Sequence, residues 1–130
     1  MNILVGYDGS KVSADALKLA KVHAKAFNAK VFVVTSMVGG PEVPRKDFER
    51  AEKDLNYAAS GFKKEGIPHE ARLSVRGLEA GEDLVQFAEE NQIDQIIIGI
   101  RRRSRVQKLV FGSNAQYVIL EAPCPVLSVK

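Results

Sequence analysis

Residues 2–10 read NILVGYDGS, an apolar run that leads directly into a turn and a helix start. The run Asn2–Tyr7 carries apolar side chains at consecutive positions, so both faces of a strand formed here would be buried. Such strands are typical of the middle of a parallel sheet that helices cover on both sides. Ser10 is a candidate N-cap for a helix whose apolar residues, spaced three and four apart, continue to about Phe27. The opening of the chain therefore predicts a strand, a turn and a helix of an α/β protein.

The rest of the chain continues this alternation of strands and helices. Further strands are predicted at Lys30–Ser36, His69–Val75, Asp94–Gly99 and Pro125–Lys130, and further helices at Lys46–Glu65, around Leu84–Ala88 as far as Asn91, and from Ser113. Gly66 is a candidate stop for the long helix, and Gly77 and Gly81 predict a turn before the short one.

The third strand differs from its neighbours in its pattern. Apolar residues alternate with Glu70, Arg72 and Ser74, which predicts one wetter face and a position at the edge of the sheet. The order βαβαβαβαβ, without a repeat or a linker, predicts one domain over residues 1–130 with a parallel sheet and right-handed crossovers.

Composition excludes several classes of protein. The chain has 130 residues, a mass of 14.3 kDa and a formal charge of +3, which fits one globular domain. No apolar run approaches the roughly 20 residues of a membrane span, so we expect a cytoplasmic protein with no membrane partner. Cys124 is the one cysteine, which argues against a disulfide framework or a zinc site. Four arginines lie within residues 101–105, but no aromatic residue stands among them to stack a base, and we expect no nucleic-acid partner.

A ligand site is expected beyond the carboxyl ends of the strands, where open parallel sheets bind their ligands. Residues 6–10, 36–40 and 99–113 should meet there. The last of these segments ends in Gly112, Ser113 and Asn114, which begin a helix after a connection of 13 residues, 100–112. Backbone N–H groups and the helix dipole favour an anion at such a place by about 0.3 to 1 kcal/mol, so a phosphate group would suit it.

The same residues resemble the universal stress proteins, small α/β proteins among the adenine-nucleotide-binding folds. The resemblance covers the whole chain, from ILVGYDGS through IDQIIIG to PCPVLSVK. Nucleotide-binding members follow the fourth strand with Gly, two residues, Gly, nine residues, Gly, and Ser or Thr. Gly99, Gly112 and Ser113 match this motif, and Arg102 stands where the second glycine belongs. We therefore predict a Rossmann-like α/β fold: a five-stranded open parallel sheet of order 3-2-1-4-5 with two helices on each face.

The resemblance also implies a ligand and the residues that would bind it. The ligand would be ATP or another adenine nucleotide. Asp8 would hold the ribose or the adenine edge, Gly6 would lie beside the base, and Ser36 with Met37 would line the adenine pocket. An Asp in a Tyr-Asp-Gly-Ser turn also has a simpler interpretation, as a turn former that bonds its own backbone.

Arg102 leaves two alternatives open. An arginine costs roughly 1 kcal/mol or more if that position requires the positive φ that a glycine adopts readily. Alternatively the loop takes another path, and the guanidinium of Arg102 itself becomes a bidentate phosphate ligand.

The resemblance implies two alternative functions. The first is an adenine-nucleotide-binding stress protein, non-catalytic or at most a slow hydrolase, whose bound state is sensed by an unidentified regulatory partner. The second is a scaffold of the same fold that has lost the nucleotide. The sequence has no GxSxG elbow, no GxxxxGK[ST] loop and no acidic pair spaced for Mg²⁺, so it does not support efficient catalysis. The apolar last strand Pro125–Lys130 predicts a homodimer, since an uncovered edge strand invites pairing with another chain.

Overall fold

Strands and helices alternate along the chain in a computed structural model, which describes residues 1–100 and 112–130. The strands are β1 Asn2–Gly6, β2 Lys30–Met37, β3 His69–Val75, β4 Gln95–Gly99 and β5 Val126–Val129. The helices are α1 Lys11–Phe27, α2 Arg45–Lys64, α3 Ala80–Glu90 and α4 Ser113–Glu121. The strands and the long helices lie within two or three residues of their predicted positions.

Within the described residues the strands form one five-stranded sheet of order β3-β2-β1-β4-β5, and every neighbouring pair is parallel. The registers align Leu4 of β1 with Phe32 of β2 and with Ile96 of β4. The order and the direction of the strands confirm the predicted fold. The two outermost strands are β3 and β5.

The core consists of two apolar clusters on opposite faces of the sheet. One cluster packs Ile3, Val5 and neighbouring strand residues against α1 and α2, while the other packs Leu4 and its neighbours against α3 and α4. Ile3, Leu4 and Val5 have no solvent-exposed area, as expected for a strand covered on both sides. Two helices therefore lie on each face, as predicted.

Local sequence explains how α1 and α2 begin and end. Ser10 is the N-cap of α1, as predicted, and its Oγ accepts a hydrogen bond from the Ser13 N–H at 3.3 Å. Asn28 ends α1 in the left-handed conformation, with φ of 54°. Gly66 follows α2 with φ of +67°, which glycine adopts without strain.

Two local predictions were wrong. Ser74 was assigned to the wetter face of β3, but its side chain is buried, and Val75 beside it is exposed. The Ser74 hydroxyl donates a hydrogen bond to the buried carboxylate of Asp83, and this partner makes the burial of Ser74 possible. Gly81 was assigned to a turn, but it lies inside α3. A Cβ at Gly81 would lie 2.8 Å from the backbone oxygen of Asn114, so the glycine allows α3 and α4 to pack closely.

None of the helices described combines the length and apolarity of a membrane-spanning segment.

Candidate functional site

A cleft opens beyond the carboxyl ends of β1 and β4, with a volume of about 190 Å³. These strands are neighbours in the sheet, and the chain leaves them in opposite directions, to β2 on one side and to β5 on the other. This topological switch point is where open α/β sheets bind ligands. The described lining is contributed by β1, β2, β4, the turn after β1 and the N-terminal parts of three helices: Gly6, Tyr7, Asp8, Ser10, Val12, Ser13, Ser36, Ala80, Leu84, Ile98, Gly99, Asn114, Ala115 and Val118.

Asp8 fixes the turn between β1 and α1. Its Oδ1 accepts a hydrogen bond from the Ser10 N–H at 2.9 Å, and the Ser13 hydroxyl lies at 2.9 Å from the same oxygen. An Asp that bonds the backbone two residues ahead forms an Asx turn. The carboxylate therefore has the turn-forming role, and it also lines the cleft, where it can accept hydrogen bonds from ligand hydroxyl groups.

The backbone of Tyr7 ties the same turn to β2. Its N–H donates to the Val34 carbonyl at 2.9 Å, and its carbonyl accepts from Thr35 Oγ1 at 2.7 Å. Burial raises the pKa of the Tyr7 phenol, and the nearby carboxylates of Asp54 and Asp8 raise it further. The phenol therefore remains neutral at physiological pH beside the Asp8 carboxylate.

Gly6 and Gly99 permit close approaches at the floor of the cleft. A Cβ at Gly99 would lie 2.9 Å from the backbone carbon and oxygen of Val12, where α1 begins. A Cβ at Gly6 would lie 2.9 Å from Leu84 Cδ1, the end of a flexible side chain. Packing alone therefore explains a glycine at position 99, without any ligand, because the backbone atoms of Val12 cannot move aside as a side chain can.

The first turn of α4 forms one wall. Its N-cap is Gly112, which has no side chain to cap the helix, and the Gly112 carbonyl accepts the first helical bond from the Gln116 N–H at 3.1 Å. Ser113 is exposed, and Asn114 Oδ1 accepts a hydrogen bond from the Gly81 N–H at 2.9 Å. The amide of Asn114 therefore links the starts of α3 and α4. The first amides of the helix have no intrahelical acceptors, and an anion placed there would be favoured.

A buried carboxylate lies behind the cleft wall. Asp83 of α3 has no exposed area, and its Oδ2 accepts from Ser36 Oγ at 2.5 Å. Its Oδ1 accepts from Ser74 Oγ at 3.0 Å and from Arg76, with the two guanidinium nitrogens at 2.8 Å and 2.6 Å. Arg76 also donates to Glu90 at 2.7 Å. Burial by itself would raise the pKa of Asp83, but these hydrogen bonds and the charge of Arg76 outweigh burial and hold the pKa below its ordinary value.

Comparisons with known proteins agree with this architecture. The universal stress protein family model matches residues 1–130. A universal stress protein of Thermus aquaticus is 36% identical, over 98% of this chain and 97% of its own length. The chain belongs to the universal stress protein family.

Two solved structures from Archaeoglobus fulgidus extend the comparison. A universal stress protein from this organism superposes with a TM-score of 0.88 at 38% identity, over 100% of this chain and 93% of that one. Another structure, in complex with dAMP, superposes with a TM-score of 0.85 at 37% identity, over 100% of this chain and 98% of that one. The resemblance proposed from sequence motifs is thus confirmed for the family and the fold.

In this universal stress protein, five of the predicted ligand residues line one cleft: Gly6, Asp8, Ser36, Gly99 and Asn114. Gly112 and Ser113 stand at the start of α4 beside it, while Met37 is half-buried on β2 outside the lining. Arg102 lies outside the described residues, so its two alternatives stay predictions. The roles of the remaining residues as ligands also stay predictions.

Sequence reasoning missed Asp83 and Ser13. Asp83 falls among the apolar positions of α3, four residues before Phe87, and a charged residue on an apolar stripe is a signal of a buried polar network. Ser13 lies three residues after Ser10, where its N–H reaches the cap hydroxyl.

Proposed function

We propose that this universal stress protein binds an adenine nucleotide in the cleft at the β1/β4 switch point. The observation that carries the proposal is the cleft itself, because one end offers helix amides and the other offers hydrogen-bond acceptors. The Archaeoglobus relative at 37% identity, solved in complex with dAMP, supports an adenine nucleotide as the class of ligand.

Charge gives the nucleotide an orientation in the cleft. Asp8 on the β1 side repels phosphate groups but accepts hydrogen bonds from sugar hydroxyls. The first turn of α4 carries no acidic residue, and its amides and dipole attract phosphate. The phosphate end therefore belongs at Gly112–Asn114, and ATP is the proposed ligand, since the arginine-rich sequence 101–105 belongs to the connection that leads to this helix start.

The proposed activity is regulatory binding. The described lining contains one carboxylate, Asp8, and that carboxylate is engaged by the turn of which it is part. A bound nucleotide would join β1, α1 and α4 across the cleft and change the surface that a partner contacts. We further propose a homodimer, formed through β5, as the working unit.

Calorimetric titration with AMP and ATP tests nucleotide binding. We expect saturable heat with the wild-type chain and tighter binding of ATP than of AMP. Valine in place of Gly112 should abolish the heat, because its side chain would occupy the space beside the first amides of α4. Gly112 has φ of −60°, and a Cβ added there would have no described atom within 4 Å, so the variant should fold normally.

A matched pair of serine variants tests the same helix start. Ser113→Ala should weaken binding about threefold to tenfold through loss of one hydroxyl contact. Ser60→Ala on α2 removes an exposed serine far along the chain from the cleft and should leave binding unchanged. Absence of heat at millimolar AMP and ATP would contradict the proposal and favour the scaffold that has lost its nucleotide.

A further inference from the structure

The buried carboxylate of Asp83 contacts the cleft through one side chain. Ser36 lines the cleft, and its Oγ lies 2.5 Å from Asp83 Oδ2. Asp83 also accepts from Ser74 and from Arg76, which bonds it through two nitrogens. The carboxylate is therefore held from β2, from β3 and from the segment after β3.

This contact fixes the direction of the Ser36 hydroxyl. An ionised carboxylate is an acceptor only, so the hydrogen of the 2.5 Å contact belongs to Ser36 and points at Asp83. The guanidinium of Arg76 keeps Asp83 ionised, because an opposite charge within hydrogen-bond distance favours the charged form. Because its hydrogen is used by Asp83, Ser36 Oγ can offer a ligand only its lone pairs. This point of the cleft therefore accepts hydrogen bonds.

Sheet geometry places the base of a nucleotide near this point. Ser36 lies near the end of β2, and α4 follows β4, which lies two strand spacings away, or about 10 Å. With the phosphate held at the start of α4, the opposite end of the ligand extends toward β2. This step rests on the proposed function.

We propose that Asp83, acting through Ser36, is a specificity-determining residue that selects a 6-amino purine over a 6-oxo purine. The amino group of adenine donates hydrogen bonds, whereas the oxo group of hypoxanthine or guanine only accepts them. An oxo group facing Ser36 Oγ would place two hydrogen-bond acceptors against each other. Both oxygens would lose hydrogen bonds to water without gaining a partner, so binding would be weaker. Asp83 itself touches no ligand and is a positioning residue.

Binding of AMP and IMP by the full chain tests this inference. The two monophosphates differ at position 6 of the base and in the proton on N1, so their affinity ratio isolates this end of the cleft. We expect the wild-type chain to bind AMP about tenfold more tightly than IMP, the ratio expected for one mismatched hydrogen-bonding group. In Ser36→Ala the ratio should fall toward one, because the acceptor is removed.

Asp83→Asn should lower the ratio in the same direction. Its amide nitrogen can donate to Ser36 Oγ and so free the hydroxyl hydrogen to face the cleft, where it suits an oxo group. Ser74→Ala is the matched control, since it removes one hydrogen bond from Asp83 but leaves the Ser36 contact in place. We expect it to lower the melting temperature without changing the AMP to IMP ratio.

The outcomes separate the two proposals. If the wild-type chain binds both nucleotides equally, or if neither Ser36→Ala nor Asp83→Asn changes the ratio, the inference is overturned and nucleotide binding stands. If the wild-type chain binds neither nucleotide, the proposed function fails and the inference fails with it. A merely structural role for Asp83 would weaken both affinities equally and leave the ratio constant.

Discussion

The Asp83 network makes stability depend on pH at the acid end. The folded-state pKa of this carboxyl lies below its ordinary value near 4, so the folded protein holds the ionised form more strongly than the unfolded chain does. The stabilisation is fully present above the unfolded-state pKa and is lost as pH falls through the folded-state pKa. We expect the free energy of unfolding in urea to decline below about pH 4.

Asp83→Asn should remove part of that acid dependence. At pH 7 we expect a loss of about 2 kcal/mol, less than the roughly 3–5 kcal/mol usual for a broken buried ion pair, because Arg76 is partly exposed. Glu65→Gln is the comparison variant, because Glu65 pairs with Lys21 and Lys25 on an exposed surface and its loss should matter little. Equal effects of the two variants on urea denaturation would contradict the role given to the buried network.

Alanine at Gly99 and at Gly112 should have different consequences for stability. At Gly99 the new Cβ meets the Val12 backbone at 2.9 Å, and we expect a loss of about 1–3 kcal/mol from overpacking. At Gly112 the φ of −60° suits any residue, so Gly112→Ala should lose less, at most about 1 kcal/mol, because alanine is a poorer N-cap than glycine. Thermal unfolding followed by circular dichroism compares the two, and equal melting temperatures would show that Gly99 is not held by packing.

Residue roles were only partly predictable, because they depend on contacts between distant segments. The motif spacing identified Gly99, but the contact that excludes a side chain there comes from Val12, which no spacing rule connects to it. The apolar stripe of α3 indicates that Asp83 is buried, but its partners Ser36, Ser74 and Arg76 come from other segments, so the helix sequence alone does not identify them. Asp8, by contrast, bonds within its own turn, and such local contacts are visible in sequence.

At the scale of elements, the cap of α1 positions one wall of the cleft. Ser10 Oγ accepts from the Ser13 N–H, and Ser13 Oγ in turn contacts Asp8. We expect Ser10→Ala to lower the free energy of unfolding by about 1 kcal/mol, the usual cost of a lost N-cap. Ser60→Ala, inside α2, provides a control that removes a hydroxyl without removing a cap. A loss in urea denaturation no larger than that of the control would argue against the capping role.

Element positions were largely predictable because periodicity reports burial on a covered sheet. Consecutive apolar residues identified the central strands β1 and β4, and three-and-four spacing identified α1 and α2. The start of α3 was misplaced, since Gly81 was given the ordinary meaning of a turn residue. Its presence in the helix is explained by close packing against Asn114 of α4, which lies 33 positions later in the sequence.

At the scale of the whole molecule, the two edges of the sheet are unlike. β3 carries Glu70 and Arg72, whose charges pair with each other at 2.7 Å and discourage further strand pairing. β5 reads VLSV and carries no charge between Val126 and Val129. Ile119 and Leu120 of α4, the helix that precedes β5, are also exposed apolar side chains. The β5 edge is therefore the edge suited to pairing with a second copy.

Ser128 provides a sharp test of a dimer formed through that edge. The Ile100 N–H donates to the Val129 carbonyl at 2.7 Å and the Ile96 N–H to the Pro125 carbonyl at 3.0 Å, so these odd-numbered residues direct their backbone toward β4. Because alternate residues of a strand present their N–H groups to opposite edges, the N–H of Ser128 lies on the open edge. Proline there removes an outward donor and leaves the pairing with β4 intact.

We expect the wild-type chain to sediment at about twice 14.3 kDa at micromolar concentration, and Ser128→Pro at the mass of one chain with a similar helix content. Ser128→Thr retains the N–H and favours the strand, so it should remain dimeric. A wild-type monomer would exclude the dimer. A Ser128→Pro dimer as stable as the wild type would place the dimer contact somewhere other than β5. The loss of assembly in the proline variant alone would locate it in the backbone of β5, because the two substitutions occupy the same exposed position.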